Sequence, residues 1–426
     1  MTNARSRANT SVLSPGETRS LLIEKPAAGG WMIARVDGQI VLVSGAIPGE
    51  RVTARIGRVS RGVAYAKTTA VDAPSPDRRD AAADPECGGA LYSHIAYDRQ
   101  LAIKREVIAD AFSRIARVTL PAAVSVAASR EDGYRMRARL HVRGRRIGFF
   151  REATHDLCEV RQTRQLLPAS CDLLERWSAA LQSLAVDAVR ELELSENVDA
   201  TERAIALDLD RPVDAGVLER LASDEGLTGL VARGTVRGRP YVTDRFEVDG
   251  ASLELRRDVR AFFQGNRYLL RPLITHVVGQ LNDGPAVDLY AGVGLFAVAA
   301  AAARRLSVTA VEGDRYAAAD LDANGSRAPG VRAVHQSVEA FVRGAPPRPD
   351  SVIVDPPRTG MSREALDGVL ALGAPRIVYV SCDVATLARD ARRFVDAGYA
   401  IARVDAFDLF PNTPHVETIV VLDRQA

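Results

Sequence analysis

Between Ser20 and Val71 apolar residues fall in short alternating runs: Ser20–Ile23, Trp31–Val36, Ile40–Val43, Arg51–Ile56 and Val63–Val71. Gly29-Gly30, Asp37-Gly38 and Pro48-Gly49 punctuate these runs, so the pattern predicts five short strands in a small β-barrel of the OB type. Pro74, Pro76 and Pro85, with charges between them, predict a linker. From Tyr97 to Ile115 the spacing becomes helical, with Leu101, Ile108, Phe112 and Ile115 recurring along it. A strand with clean alternation follows. Tyr134, Met136, Ala138, Leu140 and Val142 point one way, and Arg135, Arg137, Arg139, His141 and Arg143 the other. Gly144 turns the chain, and Ile147–Arg151 is expected to return as the hairpin partner. From Leu173 to Val248 helix and strand mix without a chemical motif.

The last third has a different rhythm. Apolar strands at Ala286–Leu289, Val308–Val311, Ser351–Val354, Ile377–Val380, Ile401–Val404 and Thr418–Leu422 alternate with helical stretches. Those stretches are Leu295–Arg304, Tyr316–Asn324, Arg363–Leu372 and Ala385–Ala397. Fully apolar strands between helices predict an α/β domain with a parallel sheet covered on both faces. The expected organisation is a disordered tail at 1–15, a barrel at 16–75, a mixed α+β middle domain at 76–260 and a Rossmann-like domain at 261–426. The helix near 95–116 is a candidate to pack on the last of these.

Charge changes the picture only when it is localised. The net charge is +2, but Met1–Ser75 holds ten Lys/Arg against five Asp/Glu, and Arg130–Arg151 holds eight Arg against Glu131 and Asp132. Clustered Arg suits a polyanion, because each neutralised phosphate releases counterions. The face formed by Arg135, Arg137, Arg139 and Arg143, with no acid of its own, therefore predicts contact with RNA. Cys87, Cys158, Cys171 and Cys382 lie far apart, in a pattern fitting neither a disulfide framework nor a zinc site, and the six His show no ligand spacing. No metal is expected. No apolar run reaches the roughly 18–20 residues that span a bilayer. The polar start lacks a signal core, and a cytoplasmic protein is expected.

Candidate chemistry gathers at the strand ends of the α/β domain. The first strand runs into Asp288-Leu289-Tyr290-Ala291-Gly292-Val293-Gly294, and a helix starts at once, a place where backbone can approach a ligand. The next strand ends at Glu312, suited to accept ribose hydroxyls. This loop alone fits S-adenosylmethionine and NAD equally, since Gly292, Gly294 and Ala297 also satisfy G-x-G-x-x-A. Asp355-Pro356-Pro357-Arg358 makes a rigid turn at a strand's carboxyl end. Ser381-Cys382-Asp383 puts a thiol at a strand tip just before a helix, where thiolate is favoured. The loop from Phe410 to Glu417 adds His415 and Glu417 near the same edge.

Together these segments resemble the RNA 5-methyluridine methyltransferase family. The resemblance is carried by Phe262-Phe263-Gln264, Asp288 to Phe296, Asp355 to Arg358, Tyr379 to Cys382 with Ala385 to Asp390, and Asp408 to Thr418. Asp37-Gly38 and Pro48-Gly49-Glu50-Arg51 resemble the TRAM domain, an RNA-binding barrel, and Gln100-Leu101 and Lys104 echo the family's middle region. The resemblance implies methylation of C5 of a uridine in ribosomal or transfer RNA, ribosomal RNA being favoured, with S-adenosylmethionine as donor and no obligatory protein partner. It implies Cys382 as nucleophile and Glu417 as proton acceptor, with Gln264, Tyr290, Gly292, Glu312 and Asp355 at the donor site. Asp383 stands where the family usually has Asn, which raises the question of whether it meets the base. Many relatives hold an iron–sulfur cluster on four Cys. Here Ala81, Cys87, Ala90 and Thr163 occupy those positions, and one thiolate cannot hold a cluster. Two other readings stay open: an NAD-dependent oxidoreductase, which leaves Cys382 and Glu417 idle, and a catalytically silent RNA-binding protein. A DNA cytosine methyltransferase would carry its thiol in a Pro-Cys turn, absent here.

Overall fold

The structure, a computed structural model, describes residues 13–344 and 346–425. The tail expected at 1–15 lies outside the described residues up to residue 12, and Leu13 is already buried in the barrel core. The barrel strands are β1 (Thr18–Leu22), β2 (Lys25–Pro26), β3 (Met32–Val36), β4 (Gln39–Ser44), β5 (Arg51–Ser60) and β6 (Val63–Ala73). They form one sheet in the order β1-β5-β6-β4-β3-β2, with Val41, Val43, Val52, Ala54 and Ile56 alternating into the core. β2, two residues long, is too short to leave a pattern.

The Pro-bearing segment after the barrel is pinned rather than loose. Arg78 grips the buried Glu50 with Nε and Nη2 at 2.6 and 2.7 Å and bridges to Ile95. Cys87 is disulfide-bonded to Cys158 with Cα atoms 5.9 Å apart. This corrects the reading from spacing, because a separation of 71 residues conceals the pairing. Helix α1 (Tyr97–Ala111) follows, and its last turn widens into a π-helical turn over Phe112–Ala116.

The strand β7 (Ser125–Ala127) comes before the middle sheet. That sheet holds β8 (Arg137–Arg143), β9 (Arg146–Phe150), β10 (Leu157–Glu159), β11 (Val189–Glu196), β12 (Arg203–Leu209), β13 (Gly229–Ala232) and β14 (Thr235–Gly238). Helices α2 (Pro168–Ser183) and α3 (Ala215–Ala222) cover its apolar face through Leu173, Trp177, Leu181, Leu218 and Leu221. The alternation read in β8 holds on its apolar side, where Met136, Ala138, Leu140 and Val142 are buried. The basic side is not free of acids. β11 pairs antiparallel with β8 and sets Glu193 opposite Arg139 and Glu191 opposite His141. Glu193 pairs with both Arg137 and Arg139 at 2.6 Å, so neighbouring-strand carboxylates offset charge that the sequence of one strand left bare.

A hairpin of β15 (Tyr241–Val248) and β16 (Ala251–Asp258) leads to α4 (Leu270–Gly279) and the C-terminal sheet. The sheet strands are β17 (Ala286–Leu289), β18 (Val308–Glu312), β19 (Val331–His335), β20 (Ser351–Val354), β21 (Arg376–Ser381), β22 (Tyr399–Phe407) and β23 (Glu417–Arg424). Between them run α5 (Leu295–Arg304), α6 (Arg315–Gly325), α7 (Val338–Arg343), α8 (Arg363–Leu372) and α9 (Val384–Asp396). The order is β19-β18-β17-β20-β21-β23-β22-β7, with a large apolar core on each face. β17 to β21 are parallel as expected, but β23 is antiparallel to both β21 and β22. The reason is local: only a loop joins β22 to β23, and a parallel return needs a long crossover. β7, from ahead of the middle sheet, completes the edge against β22.

Where middle sheet and hairpin meet, Arg257 is 1% exposed and holds Asp244 Oδ2 at 2.5 Å, Ser195 Oγ and Glu196 O. Among the described residues no helix is long and apolar enough to cross a membrane. Replacing Arg257 by Met leaves the Asp244 charge buried alone, which should cost about 3–5 kcal/mol. Urea denaturation followed by tryptophan fluorescence measures this, and a loss under about 1 kcal/mol would contradict the arrangement.

Candidate active site

The chain adds β18 and β19 on one side of β17, then β20 and β21 on the other. This reversal opens a crevice beyond the carboxyl ends of β17 and β20, where open α/β sheets bind ligands. Past β17 the backbone turns through positive φ at Tyr290 (61°), Gly292 (57°) and Gly294 (94°). A Cβ on Gly294, the N-cap of α5, would stand 2.8 Å from Leu321 Cδ1, so only glycine fits. On Gly292 it would meet nothing within 4 Å, which leaves open space over this loop.

Carboxylates surround that space. Glu312 Oε2 accepts from Gly292 N at 2.8 Å and Oε1 from Asp314 N at 2.6 Å, which fixes the carboxylate while each oxygen keeps a lone pair. Asp288 Oδ2 accepts from Ala297 N at 3.1 Å, and its buried Oδ1 has no partner. Burial, the charge of Asp355 and that of Glu312 hold the Asp288 carboxyl well above the usual range. Asp355 follows β20 and accepts from Gln264 Nε2 at 3.2 Å; burial raises it to about 7 against that hydrogen bond. Gln264 is held in turn through Asn266, whose Nδ2 donates to Ser129 Oγ at 2.9 Å and Leu409 O at 3.1 Å. Crowded acids of this kind suit a cationic ligand. They do not suit a pyrophosphate, because the loop N–H of Gly292 that would greet it is already taken.

The turn after Asp355 is fastened by α9. Thr386 Oγ1 donates to Arg358 O at 3.2 Å, Arg389 Nη2 to Thr359 O at 3.2 Å, and Asp390 Oδ2 accepts from Met361 N at 3.0 Å. Tyr379 Oη also donates to Asp390, at 2.7 Å. These contacts give the Ala385–Asp390 segment its purpose. Asp383 accepts from Thr386 N at 2.8 Å as the N-cap of α9. Its side chain therefore caps a helix, a task Asp and Asn perform equally well.

Cys382 and Glu417 meet through strand register. Ser381 of β21 lies opposite Thr418 of β23, so the next positions outward on the two antiparallel strands are Cys382 and Glu417. Cys382 is half-buried and unpaired, and Glu417 is 2% exposed. The expectation of a thiolate is not met in the free protein. Burial, then the Glu417 and Asp355 carboxyls, push the thiol up to about 12, against the Arg358 guanidinium. Burial and then Asp355 also hold Glu417 well above its ordinary range, again against Arg358. His415 on the same loop is pushed down to about 4 by burial and by Arg358, and so is a neutral imidazole. Arg358, a cation facing both thiol and acid, carries no sequence signal beyond following Asp355-Pro356-Pro357.

A Rossmann-like sheet, an acidic crevice at its switch point and a thiol facing a buried acid define an S-adenosylmethionine-dependent methyltransferase. A family model described as tRNA (Uracil-5-)-methyltransferase matches residues 348–425, and the TRAM domain model matches 13–69. An RNA methyltransferase of Thermotoga maritima is 30% identical over 94% of this chain and 98% of its own. The 23S rRNA (uracil(1939)-C(5))-methyltransferase RlmD of Pseudomonas putida is 32% identical over 96% of this chain and 94% of its own. The solved structure of Pyrococcus abyssi tRNA (uracil-54, C5)-methyltransferase with S-adenosyl-L-homocysteine shares the fold, with a TM-score of 0.74 over 95% of this chain and 99% of that one at 23% identity. The chain belongs to the RNA uracil-C5 methyltransferase family.

A raised thiol pKa means that alkylation of Cys382 in the free protein should climb with pH. Iodoacetamide labelling, quantified on the Cys382 peptide, should rise about tenfold per unit from pH 7 to 10. A plateau below pH 8 would contradict the burial argument.

Proposed function

We propose that this protein methylates C5 of a uridine in ribosomal RNA through a transient bond between Cys382 Sγ and C6 of the base. The observation that carries the reading is the register that sets Cys382 beside Glu417 at the edge where Asp355 and Arg358 also lie. C5 of uracil is a poor nucleophile on its own. Addition of sulfur at C6 pushes electron density onto C5, which can then take a methyl group. S-adenosylmethionine supplies that methyl as an electrophile. The donor site fits a cation on three counts: the orphaned Asp288 Oδ1, the clustered acids and the open space over Gly292. Gln264, Tyr290, Gly292, Glu312 and Asp355 are the residues we assign to hold it.

The Cys382 proton leaves to solvent as the thiolate forms beside Arg358, and Glu417, acting as the ionised carboxylate, removes the C5 proton after methylation. A buried acid with an elevated pKa is a stronger base than an exposed one, which suits that step. The base must leave its stack to reach Cys382, so loop or single-stranded RNA is the expected target. The barrel and the Arg135, Arg137, Arg139 and Arg143 face are the RNA surfaces we favour, with Phe262, 63% exposed and beside Arg137, offering a ring for stacking. Relatives named for 23S rRNA, matched across nearly the full length of both chains, support ribosomal over transfer RNA. We place the activity in the cytoplasm, where ribosomal RNA would be met.

Mapping 5-methyluridine in RNA from cells lacking the protein tests the reading. One 23S site should lose its methyl and regain it with the wild-type chain but not with Cys382→Ala. Loss from transfer RNA alone would overturn the choice of substrate. Glu417→Gln should still transfer methyl yet retain RNA as a denaturant-resistant adduct, and free turnover by that variant would remove Glu417 from its role.

A further inference from the structure

The loop that delivers Glu417 leaves β22 at Phe407 and rejoins the sheet at Glu417 itself. Asp408 N donates to Ala127 O of edge strand β7 at 2.9 Å, and the loop's other fixings come from outside the sheet. Lys104 of α1, 1% exposed, donates to Asp408 Oδ1 at 2.5 Å and to Phe410 O at 3.2 Å. Tyr97, two turns earlier on the same helix face, donates its hydroxyl to Asp408 Oδ2 at 3.0 Å. Between them Gln100 closes a double contact with Asn412: Nε2 donates to Asn412 Oδ1 and Oε1 accepts from Asn412 N, both at 2.9 Å. Arg79 adds a donor to Asn412 Oδ1 at 2.9 Å, and Tyr92 N donates to Asn412 O at 2.8 Å. Asn412 is held in the left-handed region at φ 62° by these four bonds. Gly30 of the barrel packs against the loop, where a Cβ would stand 3.3 Å from Pro414 Cγ.

A buried ion pair is a poor way to gain stability, since desolvation offsets its attraction, and a hydrophobic pair of similar volume often does as well. What such a pair can supply is geometric precision. We propose that Tyr97, Gln100 and Lys104 make α1 a positioning brace for the general base, setting the 408–416 loop so that Glu417 reaches the C5 proton of the methylated adduct. The proposal rests on the reading of Glu417 as base. In that step a Glu417 oxygen takes the C5 proton, and the C5–H electron pair forms the C5–C6 double bond. The C6–Sγ bond breaks with its pair on sulfur, so thiolate leaves and the product is free. Proton transfer is sensitive to placement, and an error near 1 Å can cost about a hundredfold. Methyl transfer to C5 engages other groups, so the brace should govern release more than transfer.

Two variants and one control test this. Lys104→Met combined with Asp408→Asn removes both charges and leaves neither buried alone. Gln100→Leu cuts the Asn412 contacts and spares the ion pair. Glu417→Gln runs in parallel. Each protein is mixed with S-adenosylmethionine and in vitro transcribed 23S rRNA; methyl incorporation in a single turnover and protein–RNA adduct on denaturing gels are followed in time. With S-adenosylmethionine saturating, both brace variants should keep methyl transfer within about threefold of wild type while adduct decay slows at least about tenfold. Wild-type decay, or transfer and decay falling together, overturns the proposal. If the double variant loses donor affinity through misfolding, Gln100→Leu decides alone. Trapping by Glu417→Gln without trapping by Gln100→Leu sinks the brace only, whereas free turnover by Glu417→Gln sinks the base assignment beneath it.

Discussion

Burying several carboxyl groups in one partly dry crevice withdraws them from water and brings their charges close together, and this desolvation, with the repulsion it sharpens, organises the site. Asp288, Asp355, Glu312 and Glu417 converge because parallel strands deliver their carboxyl ends to one edge, and antiparallel β23 brings its first residue to the same place. Arg358 offers a cation that faces both the thiol and Glu417. The consequence is that Asp288, Asp355, Glu417 and the Cys382 thiol are held above their ordinary ranges. A ligand bearing a sulfonium and an ammonium relieves that repulsion on binding, so donor affinity and the state of the catalytic groups are coupled by simple electrostatics.

Much of the remaining architecture serves to hold these groups still. Asp390 and Arg389 of α9 fasten the turn after Asp355, Asn266 fastens the Gln264 loop, and Lys104 with Gln100 fastens the loop before Glu417. The anchors come from three different stretches of chain: α9, the loop around Asn266 and α1. Catalytic geometry and packing of the non-catalytic parts are therefore one problem. On the brace proposed above, a substitution in α1 would act at the active site through the loop before Glu417.

Legibility from sequence followed the range of the interactions. Helix Leu295–Arg304 and strand Ala286–Leu289 were readable to the residue, because a strand, a glycine turn and a helix are consecutive and each has its own period. Cys382 and Glu417 could be singled out, but their apposition depends on the Ser381–Thr418 register of two antiparallel strands, which a parallel-sheet expectation hides. The thiolate expectation failed for a related reason: helix proximity is local and visible, while carboxyls arriving from β20 and β23 are not. Glu191 and Glu193 beside the β8 arginines, the Cys87–Cys158 pair and the Lys104–Asp408 pair are all contacts across long separations. Asp383 is the opposite case. Its departure from the family residue raised a question about base recognition, and its Oδ1 caps α9, a local role that Asn would also fill.

The central claim is that sulfur of Cys382 bonds to the pyrimidine ring during methylation. RNA carrying 5-fluorouridine tests it most directly, since fluorine at C5 leaves no proton to remove and the adduct cannot decompose. After incubation with S-adenosylmethionine, nuclease and protease digestion followed by mass spectrometry should return the Cys382 peptide bearing one methylated fluoropyrimidine nucleotide. Attachment at another residue, or methyl transfer to natural RNA with no adduct to the fluorinated one, would contradict the account.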